Sequence, residues 1–498
     1  MEKDRNTYGN ILKSIGLFGG VKVFEILVGL IKNKFVAMLL GPEGMGICGM
    51  ITNATSMVSS FTGLGLMSGS VRDVALASES KDEVRIAETT SVLRKLVLFT
   101  GCTGTIITIL LARQLSLWSF GHEDYTNAFR IVSVILLFNQ LCIGRTVLMQ
   151  GTFHYRLMAK SSLAGNIIGL IVCVPLYYLF GYDGIVPVIV FTSLVNFLLA
   201  YFYSRRITLR KVKLTIRQVL EKGKSMIQLG LSFAIVGTLT TGQIFILRLF
   251  IANEGSLVDV GLYTAGVAIS NQYVDMILSS MGTDYGPRLA ALSTDIAKFV
   301  EAMNRQTKLI VTIITPMLFL FIVLIREIVL LLYSDKFVPI TEMLEWLMFG
   351  MFFRAIAWCL SYTIAARGEA KKYMVNETVS LFYFLLFNII GYEYGRFSGL
   401  GCAFIAGYAC YAIHMYVICN KLHGFTYNKD VIKVMSIFFV LLSSLMVGLF
   451  LFKDGFMRYV IGIIGFILTT SVSLYYMNQM IPITQMIKYI KNNAKMYV

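Results

Sequence analysis

The feature that most constrains this chain is a run of apolar windows, each about 20 residues long, that recurs from one end to the other. They fall near residues 14–40, 44–73, 94–112, 127–151, 159–180, 184–204, 226–251, 261–285, 309–332, 343–366, 373–394, 398–419, 431–452 and 457–479, fourteen in all. In hydrocarbon a backbone amide has no water to bond, so each window has to satisfy its own backbone as a helix. The expected class is an all-α polytopic membrane protein with about fourteen transmembrane helices. Composition agrees, since only 14% of residues are charged and the mean hydropathy is +0.72.

The net charge of +16 does not point to nucleic acid. With the N-terminus placed in the cytoplasm, 30 of the 44 Lys and Arg fall in inner segments, 6 in outer loops and 8 within spans. Such asymmetry is the positive-inside signature, and it predicts both termini cytoplasmic. Anionic headgroups are the partner that this excess fits. The polar leader around Lys3, Asp4 and Arg5 lacks a small-residue cleavage site, so the first span is expected to stay in the protein. Eight cysteines all fall inside spans without a CxxC pair and read as small apolar fillers. The outer connections are short, leaving little room for a catalytic domain there.

Within this pattern the stretch Phe35–Ala77 stands out. Gly41-Pro42-Glu43-Gly44 predicts a turn, and a span rich in Gly, Ser, Thr and Met follows it. Interior glycine costs about 1 kcal/mol relative to Ala in a helix, so its use here implies close helix approach or space beside the helix. At an offset of 215 residues, Gly46-Ile47 sits on Gly261-Leu262, and Arg72–Ser78 sits near Pro287–Ser293. Both copies run in the same direction, which predicts parallel repeats related by an axis along the membrane normal. The division that follows is an N-lobe over 1–204, a basic amphipathic linker over 205–224 and a C-lobe over 225–420. Residues 421–498 add spans 13 and 14 and a basic tail.

Ionisable residues inside spans are the candidates for function, because each costs roughly 2.5–3.5 kcal/mol at the centre of a lipid-facing helix. They are Lys22, Glu25, Lys32 and Lys34 in span 1, Arg145 in span 4, Arg248 in span 7, Asp275 in span 8, Arg354 in span 10 and Glu377 in span 11. Lys22, Glu25, Gly29 and Lys32 share one stripe of span 1, and Asn271 and Asp275 form an i, i+4 pair. For any single residue an internal ion pair is an equal reading. Taken as a set, the deep cations Lys22, Lys32, Arg145 and Arg354 outnumber the deep carboxylates Glu25 and Asp275. A cavity with surplus positive charge is expected to hold an anion, and a pyrophosphate would satisfy it. No nucleophile triad, metal-ligand spacing or phosphate-cradling glycine loop is present, so neither enzyme chemistry nor a metal is expected.

Three blocks of sequence resemble one family. LGPEGMG with the glycine-rich second span, Val260–Leu289, and Leu331–Gly368 with its LLYSDKF and closing AARG are similar to the polysaccharide flippases, or O-antigen translocases, of the MATE-like exporter superfamily. The resemblance covers about residues 10–420. It implies a V-shaped pair of pseudo-symmetric six-helix lobes around a cationic cavity, with two extra C-terminal helices here. It further implies alternating access in a bacterial cytoplasmic (inner) membrane and an undecaprenyl-pyrophosphate-linked oligosaccharide as substrate, with membrane lipids and other polysaccharide-assembly proteins as partners. Carried over by span, the cavity residues are Lys22, Glu25, Asn53, Arg248, Asn271 and Asp275. Together with the charge reading, the expected substrate cations are Lys22, Lys32, Arg145, Arg248 and Arg354. Glu25, Asn53, Asn271, Asp275 and Glu377 are the polar or ion-coupling set. No cofactor is expected; coupling to a proton or sodium gradient, or to the membrane potential, stays open. A MATE-type drug/cation antiporter and a membrane polymerase or ligase of glycan assembly are the alternatives.

Overall fold

The computed structural model describes residues 2–80, 82–207, 212, 214–292, 295–367, 369–452 and 455–480. Side chains are described from residue 24 onward, and a few helical positions elsewhere are described by their backbone alone. The side chain of Lys22, linker residues 208–211 and 213, and the basic tail from Ile481 therefore lie outside the described residues.

Every described element is helical. The first part of the chain forms α1 (Glu2–Thr62), α2 (Leu66–Glu79), α3 (Glu83–Leu110), α4 (Ala112–Phe120), α5 (Thr126–Val132), α6 (Val134–Gly151), α7 (Tyr155–Phe180), α8 (Ile185–Ser204) and α9 (Ile216–Glu254). It continues with α10 (Leu257–Ala291), α11 (Ile296–Val323), α12 (Ile325–Leu332), α13 (Thr341–Ala366), α14 (Ala370–His423), α15 (Lys429–Leu451) and α16 (Phe456–Met480). Among the described residues, nine helical stretches are long and apolar enough to cross a membrane. Two of them, Tyr155–Ser204 and Lys371–His423, are hairpins long enough to cross twice. The arms of α1 and the helix α10 occupy the other predicted windows; glycine and polar content keep the second arm of α1 and α10 out of the nine, and the first arm reaches back past the residues whose side chains are described.

Two sharp turns are built differently. Gly41 (φ 66°) breaks α1, where Leu40 Cβ lies only 2.4 Å from the place a Gly44 Cβ would take. Arg396 takes a left-handed φ of 47° in the middle of α14, which folds the helix into an antiparallel hairpin. Gly391 and Gly399 touch across that turn, and the arms pair further down through Phe384–Tyr408 and Glu377–Tyr411.

The chain forms two compact units, Met1–Ala265 with Leu332–Phe337, and Gly266–Leu331 with Val338–Val498. This division falls inside α10, whereas the predicted linker at 205–224 lies within the first unit. The basic segment is tied down there. Leu214 and Val219 are buried with Val74, Val92, Leu96 and Val147, Lys95 donates to the Leu214 carbonyl, and Lys222 pairs with Glu88. A capping box between Thr215 and Gln218 starts α9 at that point. α9 then packs against α1 and α2.

The second span was expected to run unbroken through 44–73, but the helix stops at Thr62 and restarts at Leu66. The cause is close contact. Leu64 and Gly65 have φ of 50° and 58°, and a Cβ on Gly65 would sit 2.1 Å from the Gly230 carbonyl. Backbone meets backbone here, which a continuous helix with side chains would prevent.

In the second unit α11 and α13 are the most buried of the apolar helices. Tyr285, Phe299, Met303, Leu360, Tyr411, Met415 and Phe425 form a buried core beside them. α15 and α16 lie on α11, where Gly462 meets Val323, Gly465 meets Phe319 and Ser473 donates to the Thr312 carbonyl at 2.7 Å. A largely buried ion pair, Arg458–Glu345 at 2.6 Å, fastens the start of α16. Spans 13 and 14 are thus part of the second unit's packing.

Candidate functional site

The site begins with backbone contact between α1 and α10. A Cβ added to Gly46 would lie 2.0 Å from the Leu257 carbonyl oxygen, and one added to Gly261 would lie 1.7 Å from that of Pro42. One turn on, a Cβ at Gly49 would be 3.1 Å from Thr264 Oγ1. The offset of 215 residues maps Pro42 onto Leu257, Gly46 onto Gly261 and Gly49 onto Thr264. Each copy's glycine therefore meets the other copy's carbonyl. Equivalent residues touch reciprocally only where the axis relating them passes, as in any isologous contact.

Polar groups collect just beyond this crossing. Arg248 on α9 donates from Nη1 to the Gly49 carbonyl at 2.7 Å and packs beside Thr264 on the glycine's bare face. Lys32 and Arg248 are both within electrostatic reach of Cys48, which with Cys173 neighbours Tyr177 of α7. Arg248 Nε, Thr264 Oγ1 and Asn53 Oδ1 are buried without a hydrogen-bond partner. Among the described residues neither Lys32 nor Arg248 forms an ion pair.

A buried polar group left unbonded costs about 1–3 kcal/mol, and more when it is charged. Arg248 Nε lacks an acceptor and Asn53 Oδ1 lacks a donor, with Lys32 as a second cation, so the place suits a group that carries both acceptor oxygens and hydroxyls. Guanidinium is suited to it, because its planar donors match phosphate oxygens two at a time.

The other predicted residues divide. Arg354 is not grouped with Arg248. It donates to Asp275 Oδ1 at 2.5 Å, to Asn271 Oδ1 at 2.8 Å and lies over the Tyr408 ring at 5.7 Å. The i, i+4 pair of span 8 is thus one face of an internal ion pair. Glu377 accepts from Tyr411 at 2.5 Å and ties the arms of α14 together. Arg145 stands over the Tyr201 ring at 4.7 Å near Arg94, with no carboxylate among the described residues. Glu25 is half-buried and has an interaction partner.

Cys48, Gly49, Tyr177 and Thr264 belong to the cluster and were not singled out from the sequence. Extending the repeat three residues past Gly46 and Gly261 would have found two of them.

Comparison with known proteins identifies the family and the fold. The family model described as polysaccharide biosynthesis protein matches residues 35–342, more than half of the chain. The lipid III flippase of Escherichia coli (strain K12) is 24% identical over 369 residues, covering 73% of this chain and 86% of that protein. The Shigella flexneri lipid III flippase matches to the same extent. Among solved structures, the lipid II flippase MurJ in an inward closed conformation superposes with a TM-score of 0.70 at 15% identity, over 93% of this chain and 99% of that one. An inward-facing MATE family multidrug resistance transporter of the MOP superfamily gives 0.69 at 15% identity, over 83% and 96%. The relatives are flippases and transporters, and the fold is theirs. The chain belongs to the polysaccharide biosynthesis protein family, as a multi-pass membrane protein with the MATE-like fold of flippases.

Proposed function

We propose that the chain moves an undecaprenyl-pyrophosphate-linked oligosaccharide, an O-antigen or related surface-polysaccharide repeat unit, from the inner to the outer leaflet of a bacterial cytoplasmic membrane. One observation carries this reading: the cations Arg248 and Lys32 stand without carboxylates beside a helix crossing that only glycine permits. A pyrophosphate supplies acceptors for Arg248 Nε and the Lys32 ammonium, and sugar hydroxyls suit Asn53 and Thr264. The isoprenoid tail stays in hydrocarbon, where it costs nothing to leave it.

The Gly46–Gly261 crossing closes the outer end of this cluster, given the orientation the charge count predicts, with both termini cytoplasmic. Substrate that binds one arrangement of this crossing better than the other shifts the population between them, which is the physical content of alternating access. Repeated transport then draws on a proton or sodium gradient or on the membrane potential. No covalent bond forms or breaks, and no protein group needs to act as a catalyst.

The test is a deletion strain complemented with wild-type protein, Arg248→Ala, Lys32→Ala or the double variant, with protein level checked in the membrane. Expected for the double variant is at least a tenfold fall in surface polysaccharide, with finished lipid-linked glycan accumulating on the inner leaflet; roughly two charge-assisted contacts are at stake. Full export by the double variant would sink the reading. Accumulation of unfinished glycan would favour an assembly enzyme, and drug sensitivity with normal glycan would favour a drug antiporter.

A further inference from the structure

At the open end of the α14 hairpin, opposite the Arg396 turn, the first turn of one arm faces the last turn of the other across a cavity of about 360 Å³. Three exposed lysines, Lys371, Lys372 and Lys421, and the amide of Asn376 line it. Only Lys372 is compensated, by Glu369 at 3.1 Å; among the described residues no carboxylate pairs with Lys371 or Lys421. The nearby Arg367 and His423 bond each other at 2.8 Å and add no negative charge.

The remaining walls, Val375, Ile418 and Leu422, are apolar. From Val375 an exposed apolar row continues along the helix through Val379, Phe382, Leu386 and Ile390, at steps of four, three, four and four residues. Those steps keep it on one face of the arm, running from the lysines into the membrane.

We propose that this cavity is a binding site for the phosphate headgroup of an anionic phospholipid, with one acyl chain laid along the Val375–Ile390 row. The geometry accounts for both halves of the ligand. Lysines at a membrane boundary attract anionic lipid, and clustering them around a cavity between two helices holds one headgroup rather than a diffuse layer. A free phosphate would use the lysines and leave the apolar row without a role. Bound there, the lipid bridges the two arms of α14 at the end where Glu377–Tyr411 is the nearest polar tie.

The experiment uses the full chain, purified and delipidated, with native mass spectrometry after adding phosphatidylglycerol or phosphatidylcholine. Wild type is expected to retain phosphatidylglycerol and not phosphatidylcholine. Lys371→Gln/Lys421→Gln should lower that retention about thirtyfold, at roughly 1 kcal/mol per lysine. Lys371→Arg/Lys421→Arg should restore it, which separates lost charge from lost fold. Equal retention by the Gln variant, or equal retention of the two lipids by wild type, overturns the proposal. Full displacement by millimolar inorganic phosphate would also overturn it, since the site would then be for a free anion.

Discussion

Arg248 in the first unit and Arg354 in the second are both guanidinium groups set into apolar helices, and they are held in opposite ways. Arg354 has a carboxylate, an amide oxygen and an aromatic face around it, so its charge is spent within the protein. Arg248 has a single helix carbonyl, and its Nε is left bare. Equal charge thus leads to different capacities. Where a carboxylate is near, the arginine fastens helices; where only a carbonyl is near, positive charge remains for a ligand. Lys32, Arg145 and Arg248, all in the first unit, are the cations left without a carboxylate among the described residues.

The contrast can be broken most severely at the crossing that sets Gly49 before Arg248. Gly261→Leu forces a side chain into backbone 1.7 Å away and is expected to destabilise by about 3 kcal/mol or more, seen as lost folded yield and a lower thermal midpoint in detergent. Gly237→Ala on α9 is the matched control. Nothing lies within 4 Å of that position, so it should be neutral or stabilise by up to about 1 kcal/mol.

A double-mutant cycle sharpens the comparison next. Arg354→Ala and Asp275→Ala should each destabilise, and the double variant should recover part of the loss, giving a coupling of about 1–2 kcal/mol by thermal unfolding. Asp275 is half exposed, which keeps this below the 3–5 kcal/mol of a fully buried pair. Arg248→Ala paired with the same Asp275→Ala should show no coupling. Coupling there, or none between Arg354 and Asp275, would erase the distinction between the two arginines.

Arg458→Ala tests the same principle in spans 13 and 14. Glu345 would be left as a largely hidden carboxylate, so a loss of about 2–3 kcal/mol is expected, largely recovered by adding Glu345→Gln. The smallest effect lies outside both sites. Asp295 caps α11, and the hydrogen bond from the Lys298 amide, followed by that from the Lys298 side chain, holds its carboxyl below the usual carboxylate range. Because the folded group is the more acidic one, its contribution is complete above the ordinary carboxylate pKa and is lost as pH falls through the lowered value. Asp295→Asn should flatten that acid limb of a stability–pH curve by a small loss at neutral pH, with little change at low pH, setting the background for any pH effect on transport.

Much of this architecture was legible in the residues themselves. A bilayer leaves the backbone no partner but itself, so twenty apolar residues in a row specify a helix almost without regard to their neighbours. The window pattern therefore anticipated the helices, and the 215-residue repeat anticipated that Gly46 and Gly261 are counterparts. The break at Gly63–Gly65 was not legible, because its cause is Gly230, 165 residues away in the chain. Nor was the fate of each charge. Asn271 and Asp275 declared themselves as a pair by their i, i+4 spacing, but that they would engage Arg354 depended on how α10 packs against α13.

Sequence by itself determined what each segment must be, since hydropathy and helical periodicity act over a few turns of chain. Only the tertiary structure decided which charge would be neutralised. Electrostatic compensation works over a few ångströms of space, and the residues that supply it or withhold it, Asp275 for Arg354 and the Gly49 carbonyl for Arg248, come from distant parts of the chain.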